Sequence, residues 1–232
     1  MNPDRLMKVR SSIAAVLIAL VSQVAPPASM QAPGRHPISG RVYALPMSVA
    51  GAEWLDRRER EEEEEPARAI AALGIQRGSV VADVGAGSGY MSERLSAVVG
   101  PMGRVYATDI QPGMIDLLRA RISRQGLTNI TPVLGAVDDP RLPDGALDLV
   151  LMVDVYHELA APQAVLARIR AALKPGGRLV LLEYRGEDPS VPIRPEHKMT
   201  VAQARAELEA EGFRLTQVDS RLPRQHILIF MR

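Results

Sequence analysis

The strongest constraint on this chain lies at Val80-Val81-Ala82-Asp83-Val84-Gly85-Ala86-Gly87-Ser88-Gly89-Tyr90. An apolar run, as expected of a buried strand, ends in an acid and then in glycines at three alternate positions. Tyr90, Met91, Leu95, Val98 and Val99 follow on spacings of three and four, which predicts a helix. The segment reads as strand, tight glycine turn, helix start. Without Cβ atoms such a turn can approach a ligand closely. The first turn of the helix leaves N–H groups free to bind it. A nucleotide-like ligand suits this arrangement.

The glycine spacing alone does not choose the ligand, because a dinucleotide site uses a similar turn. Asp83 stands two residues before the first glycine, where it would repel a pyrophosphate and favour a ligand carrying an amine or a positive charge. A second apolar stretch, Val105-Tyr106-Ala107-Thr108-Asp109, also ends in an acid. It comes about twenty residues after the glycines, a position from which an acid can accept both hydroxyls of a ribose.

From Gly78 onward the pattern alternates. Strands are predicted over 79–84, 104–108, 130–134, 147–153 and 178–182, with helices over 88–99, from Pro112 toward Gly126, and over 162–173. Lys174-Pro175-Gly176-Gly177 reads as the turn before the fifth strand. Near-continuous apolar strands flanked by helices indicate a parallel sheet covered on both faces. In the tail, Thr200 and Gln203 have capping-box spacing for a helix ending near Ala210. Strands over 213–219 and 226–231 follow, joined through Pro223.

Asp83 and Asp109 around Gly85, Gly87 and Gly89 resemble the class I S-adenosylmethionine-dependent methyltransferases, over roughly residues 67–185. The resemblance implies an α/β fold: a Rossmann-like, seven-stranded, mostly parallel sheet with helices on both faces and an antiparallel final strand. It implies S-adenosyl-L-methionine as cofactor. It also assigns contacts. Gly85, Ala86, Gly87 and Gly89 would pass beneath the methionine part, and Asp83 would orient the turn or receive the amine. Asp109 would take the ribose, with Ile110 against the adenine. Asp138 or Asp139 would meet the adenine amine, although Ala136 stands where the family usually places that acid. Each acid has a plainer alternative: Asp83 as a turn residue, Asp109 as a helix N-cap ahead of Pro112, Asp139 and Asp144 as turn residues.

Ligands of such sheets bind beyond the carboxyl ends of the strands. That directs attention to Asp154, Tyr156, His157 and Glu158 after the fourth strand as catalytic candidates, and then to Glu183, Tyr184 and Arg185 after the fifth. His157 is the natural general base, with a structural histidine at a helix start as the alternative. His157, Glu158 and His197 lack a recognised zinc spacing, so no metal is expected. No Asn-Pro-Pro-Tyr or Asp-Pro-Pro-Tyr run follows the fourth strand, which leaves methylation of an adenine amine unsupported. The region resembles the type 11, ubiquinone/menaquinone-related group, which implies methyl transfer to a small-molecule or lipid-like acceptor. The other readings are a non-catalytic S-adenosylmethionine-binding protein, a protein carboxyl or side-chain methyltransferase, and an NAD-linked oxidoreductase.

Composition narrows the partners. The chain has 232 residues and no cysteine, which excludes disulfides, thiolate metal sites and cysteine nucleophiles. Formal net charge is +1, and residues 1–40 hold four cations against one acid, so the remainder is −2. Such a body offers no polycationic footprint for nucleic acid. Lys8 and Arg10 precede a short apolar run, so residues 1–32 read as a signal peptide. An exported or periplasmic location is expected, with the cytoplasm as the alternative and transient membrane association in view. Residues 33–66 form a linker and N-terminal cap, and 67–232 the methyltransferase domain. The run Glu61–Glu65 reads either as a solvated face or as part of a lid, with Tyr43, Met47 or Trp54 lining the acceptor pocket.

Overall fold

The computed structural model describes residues 34–232, and the signal-peptide reading of residues 1–32 lies outside the described residues. Seven strands form one sheet: β1 (Val80–Val84), β2 (Arg104–Asp109), β3 (Ile130–Leu134), β4 (Leu147–Val153), β5 (Leu173–Tyr184), β6 (Arg214–Asp219) and β7 (Gln225–Met231). Their order is β3-β2-β1-β4-β5-β7-β6. The strands from β3 to β5 pair in parallel, and β7 runs antiparallel to both β5 and β6. This is the expected Rossmann-like sheet, with the last strand reversed and inserted between β5 and β6.

The apolar runs are explained by burial on both faces. Side chains alternate along a strand, so Val81, Val105, Leu149, Leu151, Val180 and Leu182 face one core with α3 (Pro66–Ala72), α4 (Tyr90–Val99) and α5 (Pro112–Gln125). Ala82, Val84, Val150, Met152, Leu179 and Leu181 face the other, with α6 (Pro162–Ala172) and α7 (Val201–Ala210). The strand order reverses direction between β1 and β4, and the carboxyl ends of strands at such a switch point are where ligands of these sheets bind.

Two local features refine the sequence reading. β5 starts at Leu173 rather than at Arg178, and the Lys174–Gly177 turn is carried inside it as a bulge. Leu147 pairs with Leu173 and Leu149 with Arg178, while Gly176 takes a φ of 77° that suits glycine. The Thr200 capping box forms: its hydroxyl accepts from the Gln203 N–H at 3.1 Å, and the Gln203 side chain accepts from the Thr200 N–H at 3.0 Å.

Ahead of the sheet, residues 34–65 form the N-terminal cap, with short helices α1 (Ala52–Leu55) and α2 (Arg60–Glu64). Ion pairs hold it at both ends. Arg41 is buried and reaches Glu207 of α7 through Nε at 2.8 Å, while its Nη1 donates to the His157 carbonyl at 2.9 Å. Farther along, Arg57 and Arg60 bracket Glu64 at 2.8 and 2.6 Å, and Glu64 also accepts from the Tyr184 hydroxyl at 2.8 Å. The glutamate run is thus not simply a solvated face. Glu61 accepts from Tyr90 and Arg94, Glu63 is shared by Arg57 and Arg224, and Glu64 is buried. Cations on neighbouring elements make these acids into fasteners. Among the described residues, no helix is long and apolar enough to cross a membrane.

Candidate active site

The glycine turn is tied to β2. The N–H groups of Gly85 and Ala86 both donate to the Thr108 carbonyl, at 2.8 and 3.0 Å. Gly85 has a φ of 75°, and a Cβ there would lie 2.5 Å from a methyl group of Val155, the second residue after β4. Only glycine fits both the dihedral and the space. The Gly87 N–H donates to Asp109 Oδ2 at 3.0 Å, and the Gln111 N–H to Asp109 Oδ1 at 2.9 Å. Each oxygen keeps a further lone pair. Burial raises the Asp109 pKa above the usual carboxylate value, against the backbone donors that hold the charge. Ile110 stands beside it, 45% exposed. Gly89 is the N-cap of α4.

Acids of two strand ends lie in the field of one cation of the cap. Asp83 is buried at the end of β1 and accepts from Ser92 of α4 at 2.6 Å. Burial pushes its carboxyl up to about 6, with Ser92 and Arg60 opposing and Asp109 adding to the rise. Asp154, directly after β4, has a φ of 53°. Its Oδ2 accepts from Gln225 at 2.7 Å, and its buried Oδ1 has no partner. Burial and the charges of Glu64 and Glu183 hold this carboxyl well above the ordinary range. The Arg60 guanidinium is felt by both acids and lies 4.4 Å from the centre of the Tyr90 ring.

A second polar group follows β4. His157 Nδ1 lies 2.5 Å from Glu183 Oε2 at the end of β5, and His157 Nε2 lies 3.2 Å from His197 Nδ1. Burial disfavours the His157 imidazolium, but Glu183 outweighs that and raises its pKa. Burial also pushes the Glu158 carboxyl up to about 7, with His157 opposing and Glu183 and Asp109 reinforcing.

Several sequence-predicted residues sit elsewhere. The Tyr156 ring is fully buried in the core under α6 and α7, with the Arg41 guanidinium 5.2 Å from its centre. Its contribution to the strand ends is its backbone N–H, which donates to Glu183 at 3.0 Å from the 3₁₀ turn Tyr156–Glu158. Asp138 is exposed. The Asp139 carboxylate is taken up by its own turn, accepting from the Arg141 N–H at 2.7 Å, with Arg168 at 3.5 Å. Asp139 is a turn residue in this structure. Trp54 is 41% exposed and stacks under Arg57 rather than lining a pocket, and Tyr43 packs edge-on against His36.

The cap reaches the glycine turn through Leu55 and Asp56, which sequence reasoning passed over, and Met47, a pocket candidate, holds Gln111 beside it through its backbone. Leu55 would lie 2.7 Å from a Cβ at Gly87. Asp56 accepts from the Ser88 hydroxyl at 3.1 Å, and the Met47 carbonyl accepts from the Gln111 side chain at 2.8 Å. The available signal was the arginine set Arg57, Arg58 and Arg60 ahead of the glutamates, since a buried arginine needs partners.

Comparisons with known proteins agree with this geometry. Residues 81–177 match the family model described as "Methyltransferase domain". The ubiquinone/menaquinone biosynthesis C-methyltransferase UbiE of Cupriavidus taiwanensis is 33% identical over 116 residues, which are 50% of this chain and 47% of that protein. The chain thus spans about half the length of the curated relatives it matches. A crystal structure of an S-adenosylmethionine-dependent methyltransferase from Aquifex aeolicus is 26% identical, with a TM-score of 0.75 over 80% of this chain and 98% of that one. A second such structure, from Mesorhizobium loti, shares the fold at 18% identity with a TM-score of 0.57 over 80% of this chain and 100% of that one. With acids at the ends of β1 and β2 and a glycine-rich turn between them, the chain carries a class I S-adenosylmethionine-dependent methyltransferase domain related to the UbiE family, and S-adenosylmethionine is its cofactor.

Proposed function

We propose that this protein transfers a methyl group from S-adenosylmethionine to a small-molecule or lipid-like acceptor. The observation that carries the reading is the set of buried acids at the strand ends, where Asp109 holds the glycine-rich turn, Asp83 ends β1 and Asp154 after β4 keeps an unpartnered oxygen. Buried carboxylates with one opposing cation suit a ligand that brings positive charge. Asp109 accepts ribose hydroxyls with its remaining lone pairs, the turn from Gly85 to Gly89 lies under the methionine part, and Asp83 receives the amine. The cofactor supplies a sulfonium-activated methyl when bound. The chain's task is then to hold an acceptor in line and to take a proton where the acceptor has one, so that positioning supplies most of the rate. While His157 Nε2 is unligated, the His157–Glu183 pair stands where such a proton can be held. The UbiE relatives act in quinone biosynthesis by name, which supports an acceptor of that chemical class.

Titration calorimetry of the full chain tests this reading. Micromolar binding of S-adenosylmethionine is expected and none of NAD. With quinol and phenol acceptors, release of S-adenosylhomocysteine should follow. Binding without turnover across such a panel would leave a cofactor-binding protein and overturn methyl transfer to this class.

Asp83 links binding to stability. A carboxyl raised to about 6 in the folded state, from an ordinary value of 3.8, favours folding while protonated. That contribution is present below about pH 4 and is lost as pH rises through about 6, a change of roughly 2–3 kcal/mol. Asp83→Asn should therefore stabilise the ligand-free protein at pH 7 by about 2 kcal/mol in urea unfolding while weakening cofactor binding. Equal loss of stability and affinity would mean that the carboxylate serves the fold instead.

A further inference from the structure

We propose that His157, Glu158 and His197 form a binding site for a divalent first-row transition metal, with zinc as its best occupant. The sequence separates His157 from His197 by forty positions and hides the set, but the fold closes it. The 3₁₀ turn after β4 supplies His157 and Glu158, and a second 3₁₀ turn, Pro195–His197, brings His197 against them. Three candidate donor atoms make a triangle: His157 Nε2 to His197 Nδ1 is 3.2 Å, His197 Nδ1 to Glu158 Oε1 is 3.7 Å, and His157 Nε2 to Glu158 Oε1 is 3.9 Å. Ligands about 2.0–2.1 Å from a tetrahedral zinc stand about 3.3 Å from one another. The triangle needs only a slight contraction along its two longer edges.

The surroundings are those of a ligand set rather than of a chance contact. Glu183 Oε2, at 2.5 Å from His157 Nδ1, keeps a proton on that nitrogen and leaves the Nε2 lone pair to point at the other two donors. Glu183 is itself fixed, because its other oxygen accepts from the Tyr156 N–H at 3.0 Å. The His157 backbone is fixed as well, its carbonyl accepting from Arg41 at 2.9 Å and from the Ala44 N–H at 3.1 Å. A carboxylate on the far nitrogen of a ligating histidine is the usual means of orienting it. His157 and Glu183 are buried, whereas the His197 side chain is 28% exposed and Glu158 19%, so an ion has a way in. Two imidazoles and one carboxylate favour zinc and its neighbours over magnesium or calcium, which prefer oxygen donors. Three protein ligands leave a fourth position open. That an acceptor oxygen takes this position rests on the methyl-transfer reading; the binding of the ion does not.

The test uses the untagged full chain, stripped with a chelator and titrated with zinc against a colorimetric competitor, and separately with cobalt followed by its visible absorption. One equivalent per chain at micromolar affinity or tighter is expected, with the intense absorption of four-coordinate cobalt. His197→Ala, on an exposed turn, and Glu158→Gln should each lower the affinity at least tenfold, and Glu183→Gln should lower it 10–100-fold by freeing the His157 ring. No bound equivalent would overturn the site, as would affinity unchanged in His197→Ala and Glu158→Gln. S-adenosylmethionine titrated into the same samples separates the two readings: cofactor binding without metal binding removes only the metal site.

Discussion

Replacing Arg41 with alanine is expected to lower the unfolding free energy by about 3–5 kcal/mol, the cost of stranding a buried charge. Glu207 has a fully buried side chain, and Arg41 meets both of its oxygens, with Nε at 2.8 and 3.1 Å and Nη2 at 3.0 Å. His36 lies 3.3 Å from the same carboxylate. Burial lowers the His36 pKa, with the pull of Glu207 opposing and Arg41 reinforcing. The variant also loses the hydrogen bond to the His157 carbonyl and with it the fastening of the cap to the loop after β4. The double variant Arg41→Met/Glu207→Leu should recover most of the loss, because exchanging a whole buried ion pair for apolar groups is often close to neutral. Urea unfolding of the two variants provides the measurement. A single-variant loss below about 1 kcal/mol, the range of exposed pairs, would show that water reaches this pair.

Asp109→Ala is expected to weaken S-adenosylmethionine binding by more than 100-fold. Two hydrogen bonds from ribose hydroxyls to a charged acceptor are worth about 1.5–3 kcal/mol each. The same carboxylate also holds the Gly87 and Gln111 N–H groups, so its loss loosens the turn as well as the ribose contact. Asp109→Asn separates the two effects. It keeps an acceptor for one of the two backbone N–H groups and loses the charge, and its affinity should fall between the other two. Calorimetry on both variants, beside an unfolding curve to show that they are folded, decides the matter. An alanine variant that binds within threefold of the parent would remove Asp109 from the ribose.

The sheet was legible in the sequence because its strands are buried on both faces and appear as unbroken apolar runs between glycine and proline signals. The glycine turn was legible for a related reason, since only a few residue types satisfy its dihedrals and spacing. The cap was not. Leu55, Asp56 and Arg60 have no periodicity that distinguishes them from surface residues, and their roles arise from contacts with Gly87, Ser88 and Tyr90 more than twenty-five positions away. Tyr156 shows the same limit at shorter range. Its place after β4 drew attention to the side chain, whereas the turn buries the ring and offers the N–H. The His157–His197 approach depends on two loops meeting across the ends of β4 and β5, a matter of three-dimensional packing that no local pattern records.

The position of β7 has a consequence for the order in which the protein can assemble. Leu179–Leu182 of β5 pair on one side with β4, available earlier in the chain, but on the other only with residues 227–230. While residues 185–224 are being made, β5 therefore presents a bare apolar edge with free backbone donors and acceptors. Such an edge recruits other chains as readily as its own partner. Yield during synthesis should depend on how quickly β7 arrives to close this gap, and chaperones that mask strand edges should matter most in that interval.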